Sequence, residues 1–163
     1  MNFQNLREKK LSPRLAAIAQ LIRPGSIVCD VGTDHAFLPC YLARNGWQTI
    51  YATDINKNPL EIARQFIQKR GLADRITLIH SDGLLNVPQC DDIVIAGMGG
   101  ETIAEIITAC PFTNNNTRFI LQPMTKQDIL RKELLSNNFD IINEIQVSEK
   151  NKTYTILYVR YKP

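Results

Sequence analysis

The segment Asp30-Val31-Gly32-Thr33-Asp34-His35-Ala36 places two carboxylates, an imidazole and a glycine within seven residues. It follows the apolar run Ile27-Val28-Cys29. Gly32 permits a tight turn and a close approach of backbone to a ligand. The phosphate-binding fingerprint G-x-G-x-x-G is missing, because Asp34 stands where its second glycine would be. A carboxylate there repels a pyrophosphate and attracts an ammonium or a sulfonium. That chemistry suits S-adenosylmethionine better than a nicotinamide dinucleotide. Asp34 also suits a helix N-cap, and the two roles are compatible.

Two further acidic positions follow apolar runs in the same way. Asp54, with Ile55 beside it, comes after Thr49-Ile50-Tyr51-Ala52-Thr53. A carboxylate at such a strand end accepts ribose hydroxyls, which fits any adenosine-type ligand. Asp82-Gly83 comes after Ile76-Thr77-Leu78-Ile79-His80. The aspartate there is placed to accept an adenine amine and Gly83 to let the loop pass the ring, although Asp-Gly is also an ordinary turn. Gly97-Met98-Gly99-Gly100 leaves exposed backbone groups and room for a planar ring. Gln122-Pro123-Met124 is expected to form the far wall of the same cleft, with the Gln122 amide pairing a base edge.

The expected cofactor-binding set is therefore Asp30, Gly32, Asp34, His35, Asp54, Ile55, Asp82, Gly83, Gly97 and Met98. The expected substrate-binding set is Arg7, Lys10, Arg14, Gly99, Gln122 and Pro123. Its basic members come from a cluster of Arg7, Lys9, Lys10, Arg14 and Arg23, and Lys126, Arg131 and Lys132 make a second group. Such residues supply salt-sensitive phosphate contacts or form an ordinary solvated surface.

The elements that must position these residues can be read from caps and periodicity. Ser12 and Pro13 open a helix with Leu15, Ile18, Ala19 and Ile22 on one face, closed by Pro24-Gly25. Strands are expected at 26–31, 49–53, 76–80, 92–96 and 118–121. Helices are expected from Ala36 to Asn45, from an Asn58 cap with Pro59 and Glu61 to Arg70, after Gly100, and after a Thr125 cap. Two extended segments, Phe139 to Val147 and Thr153 to Tyr161, flank the polar turn Ser148-Glu149-Lys150-Asn151-Lys152 and read as an antiparallel hairpin. Strands alternating with helices, then a hairpin, give an α/β fold: a Rossmann-like, doubly wound, mostly parallel sheet with a C-terminal antiparallel hairpin. The closing hairpin resembles the class I methyltransferase sheet.

Composition sets the bounds. The chain has 163 residues, 44% of them hydrophobic and 21% charged, with a net charge of +3. One soluble domain over 1–163 is expected, its residues 1–25 a basic helical segment ahead of the sheet. The charge excludes a polybasic protein but not a local RNA-binding patch. The first residues lack an apolar secretory core and no apolar run reaches membrane-spanning length, so a cytoplasmic protein away from membranes is expected. Cys29, Cys40, Cys90 and Cys110 form no C-x-x-C pair and His35 and His80 are the two histidines, so reduced thiols and no metal are expected.

Four motifs together carry a sharper likeness. Leu11-Ser12-x-Arg14-Leu15, Asp30-Val31-Gly32-Thr33-Asp34-His35-Ala36-Phe37-Leu38-Pro39, Ala96-Gly97-Met98-Gly99-Gly100 and Leu121-Gln122-Pro123 resemble the bacterial tRNA adenine-N1 methyltransferases that modify adenine 22. The resemblance runs from about Leu11 to Tyr161. It implies S-adenosylmethionine as methyl donor, tRNA as partner and Asp34 as the catalytic carboxylate, in a protein expected to be monomeric. It also implies a helical, coiled-coil-like domain after the last strand, whereas this sequence closes at Pro163. The expectation is thus either a naturally short member or a sequence cut at that point, with RNA affinity affected more than cofactor binding. Two alternatives stay open: a methyltransferase with another substrate, and a non-catalytic nucleotide- or RNA-binding module.

Overall fold

The computed structural model describes residues 10–163, so Arg7 lies outside the described residues. Their elements run α1 (Pro13–Leu21), β1 (Val28–Val31), α2 (Phe37–Arg44), β2 (Ile50–Asp54), α3 (Lys57–Lys69), β3 (Ile76–His80), β4 (Asp92–Gly99), α4 (Gly100–Thr108), β5 (Arg118–Thr125), α5 (Gln127–Ser136), β6 (Phe139–Glu149) and β7 (Lys152–Tyr161).

Seven strands of the described residues form one sheet in the order β3-β2-β1-β4-β5-β7-β6. β1 pairs in parallel with β2 and β4, β2 with β3, and β4 with β5. β7 enters antiparallel between β5 and β6. The chain winds outward from β1 through β2 to β3, then returns to β4 on the other side. The order reverses between β1 and β4, and ligands of such sheets bind beyond the carboxyl ends of the strands at that point.

Alternating residues of the strands build two cores. Val28, Ile50, Ala52, Val94 and Ile120 face Ile18, Leu38, Leu42 and Ile67 of α1, α2 and α3. Cys29, Val31, Ile93, Ile95, Phe119 and Leu121 face Ile103, Ile107, Leu130 and Leu134 of α4 and α5. Burial on both faces explains why β1 carries apolar residues on both faces, with Asp30 its one polar side chain. β6 is half-exposed along its length, as befits an edge strand, while β7 inside it carries buried Ile156, Leu157 and Val159.

Local chemistry sets several boundaries as expected. Ser12 caps α1, its Oγ accepting from Leu15 N at 3.3 Å, with Pro13 in the first turn. The hairpin turn rests on Lys150 and Asn151, both at positive φ (47° and 64°), between the paired residues Glu149 and Lys152. Two successive positive φ values are what the twist of a two-residue hairpin requires.

Other boundaries differ. α3 starts at Lys57 after Asn56, not after an Asn58 cap, and Glu61 pairs with Arg64 at 3.5 Å on the solvent side. α5 follows Lys126 in the left-handed region, so Thr125 ends β5 and caps nothing. The Gly97-Met98-Gly99 segment is not a loop: β4 continues through it with register shifts against β5, because Gly97 at φ +78° accommodates a bulge. The Arg23 side chain of the basic cluster grips Asp92, whose side chain is wholly buried at the start of β4. That carboxylate also accepts from Arg23 N at 2.6 Å, so Arg23 serves the fold and not a phosphate. Arg131 is likewise held by Glu144 at 2.6 Å and Lys126 by Glu101 at 2.9 Å.

Candidate active site

The turn after β1 is built from backbone bonds. Thr33 N donates to Thr53 O at 2.8 Å and Ala36 N to Thr33 O at 3.0 Å. They hold Gly32, Asp34 and Ala36 at φ of 71°, 55° and 60°. Two of these residues carry side chains that ordinarily avoid the left-handed region, and such strain persists only where surrounding bonds enforce it. The turn leaves the Asp34 side chain 70% exposed, in contact with His35 Nδ1 at 3.0 Å. Asp34 is not a helix cap, since the residue ahead of α2 is Ala36 and makes no side-chain cap bond.

A cleft of about 570 Å3 opens beyond the carboxyl ends of β1 to β4. Of the residues expected to bind a cofactor, Gly32, Asp34, Asp54, Ile55, Asp82, Gly83, Gly97 and Met98 line it. Asp54, nearly buried at the end of β2, accepts from Asn56 N at 2.9 Å, which orients its carboxylate. The loops after β2 and β3 are tied by His80 Nε2, which donates to Ile55 O at 2.8 Å. The Met98 side chain lies over Gly32, where an added Cβ would fall 2.4 Å from its Cε.

A second cleft, of about 530 Å3, shares Gly32, Asp34, Ala96 and Gly97 with the first and adds Lys10, Arg14, Asp30, Phe37 and Lys150. Asp30 thus sits behind the turn, on this second side. It accepts from Thr33 Oγ1 at 2.9 Å. Burial pushes its pKa up to about 7, against the pull of that hydrogen bond and of the Arg14 charge.

Several expected positions fall elsewhere. Gln122 is fully buried and spends its amide inside: Oε1 accepts from Arg14 Nη1 at 2.7 Å and from Gly97 N at 3.2 Å, while Nε2 donates to Pro123 O at 3.2 Å. Its side chain points away from any base edge because the β4 bulge leaves a backbone N–H that must be satisfied. Pro123 borders a separate shallow hollow beside Lys126 and Tyr154. Gly99 precedes α4 and lines neither cleft, its Cα packed near Thr125. Arg14 does line the second cleft, but its guanidinium serves Gln122 and lies over the Tyr154 ring at 5.8 Å. His35 stacks on Phe37 with ring centroids 5.6 Å apart and reaches the site only through Asp34.

Sequence reasoning missed the wall supplied by α4, where Thr102, Glu105, Ile106 and, just past the helix, Ala109 line the first cleft. Their three- and four-residue spacing marks one helical face, but no signal says which ligand that face meets. It also missed Thr53, whose Oγ1 is buried without a hydrogen-bond partner at the edge of the first cleft. Among the described residues no group of three or more His, Cys, Asp or Glu is placed to hold a metal ion.

A doubly wound sheet, an antiparallel strand inserted beside β5, and carboxylates after β1, β2 and β3 around one cleft define a class I methyltransferase fold. The family model for a methyltransferase domain matches residues 11–157. The tRNA (adenine(22)-N(1))-methyltransferase of Bacillus subtilis (strain 168) is 35% identical over 156 residues, covering 93% of this chain and 66% of that protein. The crystal structure of the B. subtilis m1A22 tRNA methyltransferase TrmK superposes with a TM-score of 0.86 at 33% identity, over 94% of this chain and 67% of that one. M. capricolum TrmK in complex with S-adenosyl-homocysteine gives 0.82 at 33% identity, over 93% and 69%. The chain belongs to the methyltransferase domain family and is homologous to the TrmK proteins. It spans about two thirds of the length of these relatives.

Proposed function

We propose that the chain transfers a methyl group from S-adenosylmethionine to N1 of an adenine in tRNA, adenine 22 by its homology to TrmK, and that the described residues act as one methyltransferase domain. The observation that carries this reading is the pair of clefts meeting at Gly32, Asp34, Ala96 and Gly97. One cleft suits a nucleoside and the other an incoming base, with an exposed carboxylate between them.

The cofactor supplies an electrophilic methyl group on a sulfonium. Asp54 would accept from the ribose hydroxyls. Asp82 would accept from the adenine amine and Gly83 would let the loop approach that ring. Gly32, at φ +71° beneath the Met98 side chain, keeps the turn after β1 tight enough for the sulfonium end of the cofactor to sit beside it.

The target adenine enters from the second cleft, not between Gly99 and Gln122. Its N1 carries an in-plane lone pair, so positioning rather than proton removal lowers the barrier. Attack on the methyl carbon would break the carbon–sulfur bond, release neutral S-adenosylhomocysteine and leave the positive charge on the adenine ring. Asp34 lies where that charge develops and stabilises it, while His35 at 3.0 Å orients its carboxylate. Lys10 lines the second cleft and is placed to meet a phosphate of the same RNA.

The test is incubation with unmodified tRNA and labelled S-adenosylmethionine, followed by nucleoside analysis and mapping. N1-methyladenosine at position 22 supports the reading. Label in another nucleoside or in no RNA at all overturns it.

A further inference from the structure

The second cleft has an inner and an outer part. Gly32, Asp34, Ala96 and Gly97 also line the first cleft and so form the inner end, beside the methyl donor's seat. Lys10, Glu149 and Lys150 line the second cleft and not the first, and so belong to its outer part. Arg14 links the two parts. Its backbone N donates to Glu149 Oε1 at 3.2 Å, and its Nη1 lies 3.9 Å from where a Cβ on Gly97 would stand. A base seated with N1 at the inner end carries its ribose toward the outer one, because the glycosidic nitrogen lies across the purine from N1.

Glu149 is an anion at the mouth of a cleft that must admit a polyanion. Such a charge costs affinity unless it meets a donor. Close to its phosphates RNA offers one donor that DNA lacks, the ribose 2′-hydroxyl. The carboxylate is also held in place. Glu149 closes β6, and the two-residue turn after it sets it opposite Lys152 on β7. It is half-buried, and the α1 amide takes a hydrogen bond from Oε1 while the second oxygen remains an acceptor. Holding the group before RNA arrives reduces the ordering cost of binding. Lys10 and Lys150 on the same outer part offset its charge toward the flanking phosphates.

We propose that Glu149 is a specificity-determining residue that accepts a hydrogen bond from the 2′-hydroxyl of the target nucleotide, so that the enzyme distinguishes ribose from deoxyribose at that position. The inference rests on the tRNA reading above and deepens it, for it names the residue that makes the substrate RNA.

The experiment uses the full chain and two tRNAs, one all-ribose and one ligated with a single 2′-deoxyadenosine at position 22. For the unaltered chain the deoxy substitution is expected to lower kcat/KM about ten- to hundredfold, the scale of one hydrogen bond to a charged group. Glu149→Ala removes the acceptor and is expected to methylate the two substrates within about threefold of each other. Glu149→Gln keeps an oxygen for Arg14 N, so its melting temperature stays unchanged, while its deoxy penalty falls at least about threefold because the charge is gone. S-adenosylmethionine affinity by calorimetry stays unchanged in both variants. Filter binding of the two tRNAs supplies the same ratios where turnover is slow. A role confined to anchoring the hairpin on α1 would lower both substrates alike and leave the ratio intact. Equal rates on the two substrates for the unaltered chain, or a deoxy penalty undiminished in either variant, overturns the inference and leaves the tRNA reading standing. Failure of the unaltered chain to bind or methylate the all-ribose tRNA overturns both.

Discussion

Asp34 and Asp30, four residues apart, have opposite surroundings and so opposite chemistry. Asp34 is largely exposed beside His35 at the junction of the two clefts. Removing it should abolish the charge stabilisation of the methylated ring without unfolding the chain. Asp34→Ala is expected to lower kcat by two to three orders of magnitude, about the scale of one lost electrostatic stabiliser, with melting temperature within a degree or two. Single-turnover assays beside a thermal melt check this, and near-normal turnover sinks the assignment. Asp54 is held by Asn56 N and faces the first cleft, so Asp54→Ala should weaken S-adenosylmethionine binding at least tenfold in a calorimetric titration. Asp30 is buried, and its pKa rises from 3.8 to about 7. Between those values the folded state holds more protons than the unfolded chain, so stability falls as pH rises through that window and levels off above about 7. Asp30→Asn should flatten this fall and leave the protein up to about 4 kcal/mol more stable at pH 8 than the unsubstituted chain. Urea titrations at pH 4, 6 and 8 would show it, and parallel pH profiles for the two proteins would refute it.

At the scale of elements, the site depends on where α1 and the β4 bulge are anchored. Arg23, just beyond α1, clamps the buried Asp92 carboxylate at the start of β4 and also donates from Nη2 to Asp91 O at 2.8 Å and to Asn116 O at 2.9 Å. Arg23→Ala leaves that carboxylate buried without its counter-charge. The expected cost is about 3–5 kcal/mol, read as a shift in the urea midpoint at unchanged slope. A change below 1 kcal/mol would show that the clamp is dispensable. At the other end of α1, Arg14 and Gln122 tie the helix to β5 and to the bulged Gly97. This explains how a residue read as a phosphate contact and another read as a base contact became partners. The bulge exposes a backbone N–H, Gln122 Oε1 accepts from it, and Arg14 Nη1 donates to the same oxygen.

For the whole molecule, the two cores on either face of the sheet make the strand ends a fixed rim, and ligand binding should stabilise the chain as a unit. S-adenosylmethionine at about 100 times its Kd adds about 2.7 kcal/mol by mass action. For a domain of this size that is a rise of roughly 5–10 °C in Tm, checked by thermal melts at increasing cofactor, and no shift would argue against the first cleft as its seat. No helix of the described residues is long and apolar enough to cross a membrane.

Much of this was legible in the chain itself. Strand and helix order, the Ser12 cap, the hairpin turn and the carboxylates at three strand ends all follow from local chemistry: apolar periodicity, caps, and the φ demands of turn residues. Residue spacing also placed Gly32, Asp34, Asp54 and Asp82 at the carboxyl ends of parallel strands, where such sheets form their crevice. What local chemistry left open depends on partners distant along the chain. Gln122 turned inward because Gly97 and Arg14, 25 and 108 residues away, supply its hydrogen bonds. Asp30 acquired its raised pKa because β2 and β4 exclude water on either side of it. Which face of α4 walls the cleft, and which aromatic and basic residues of α2 and α3 meet, were likewise set only when the helices packed onto the sheet, since a side chain's solvent and neighbours are properties of the assembled fold.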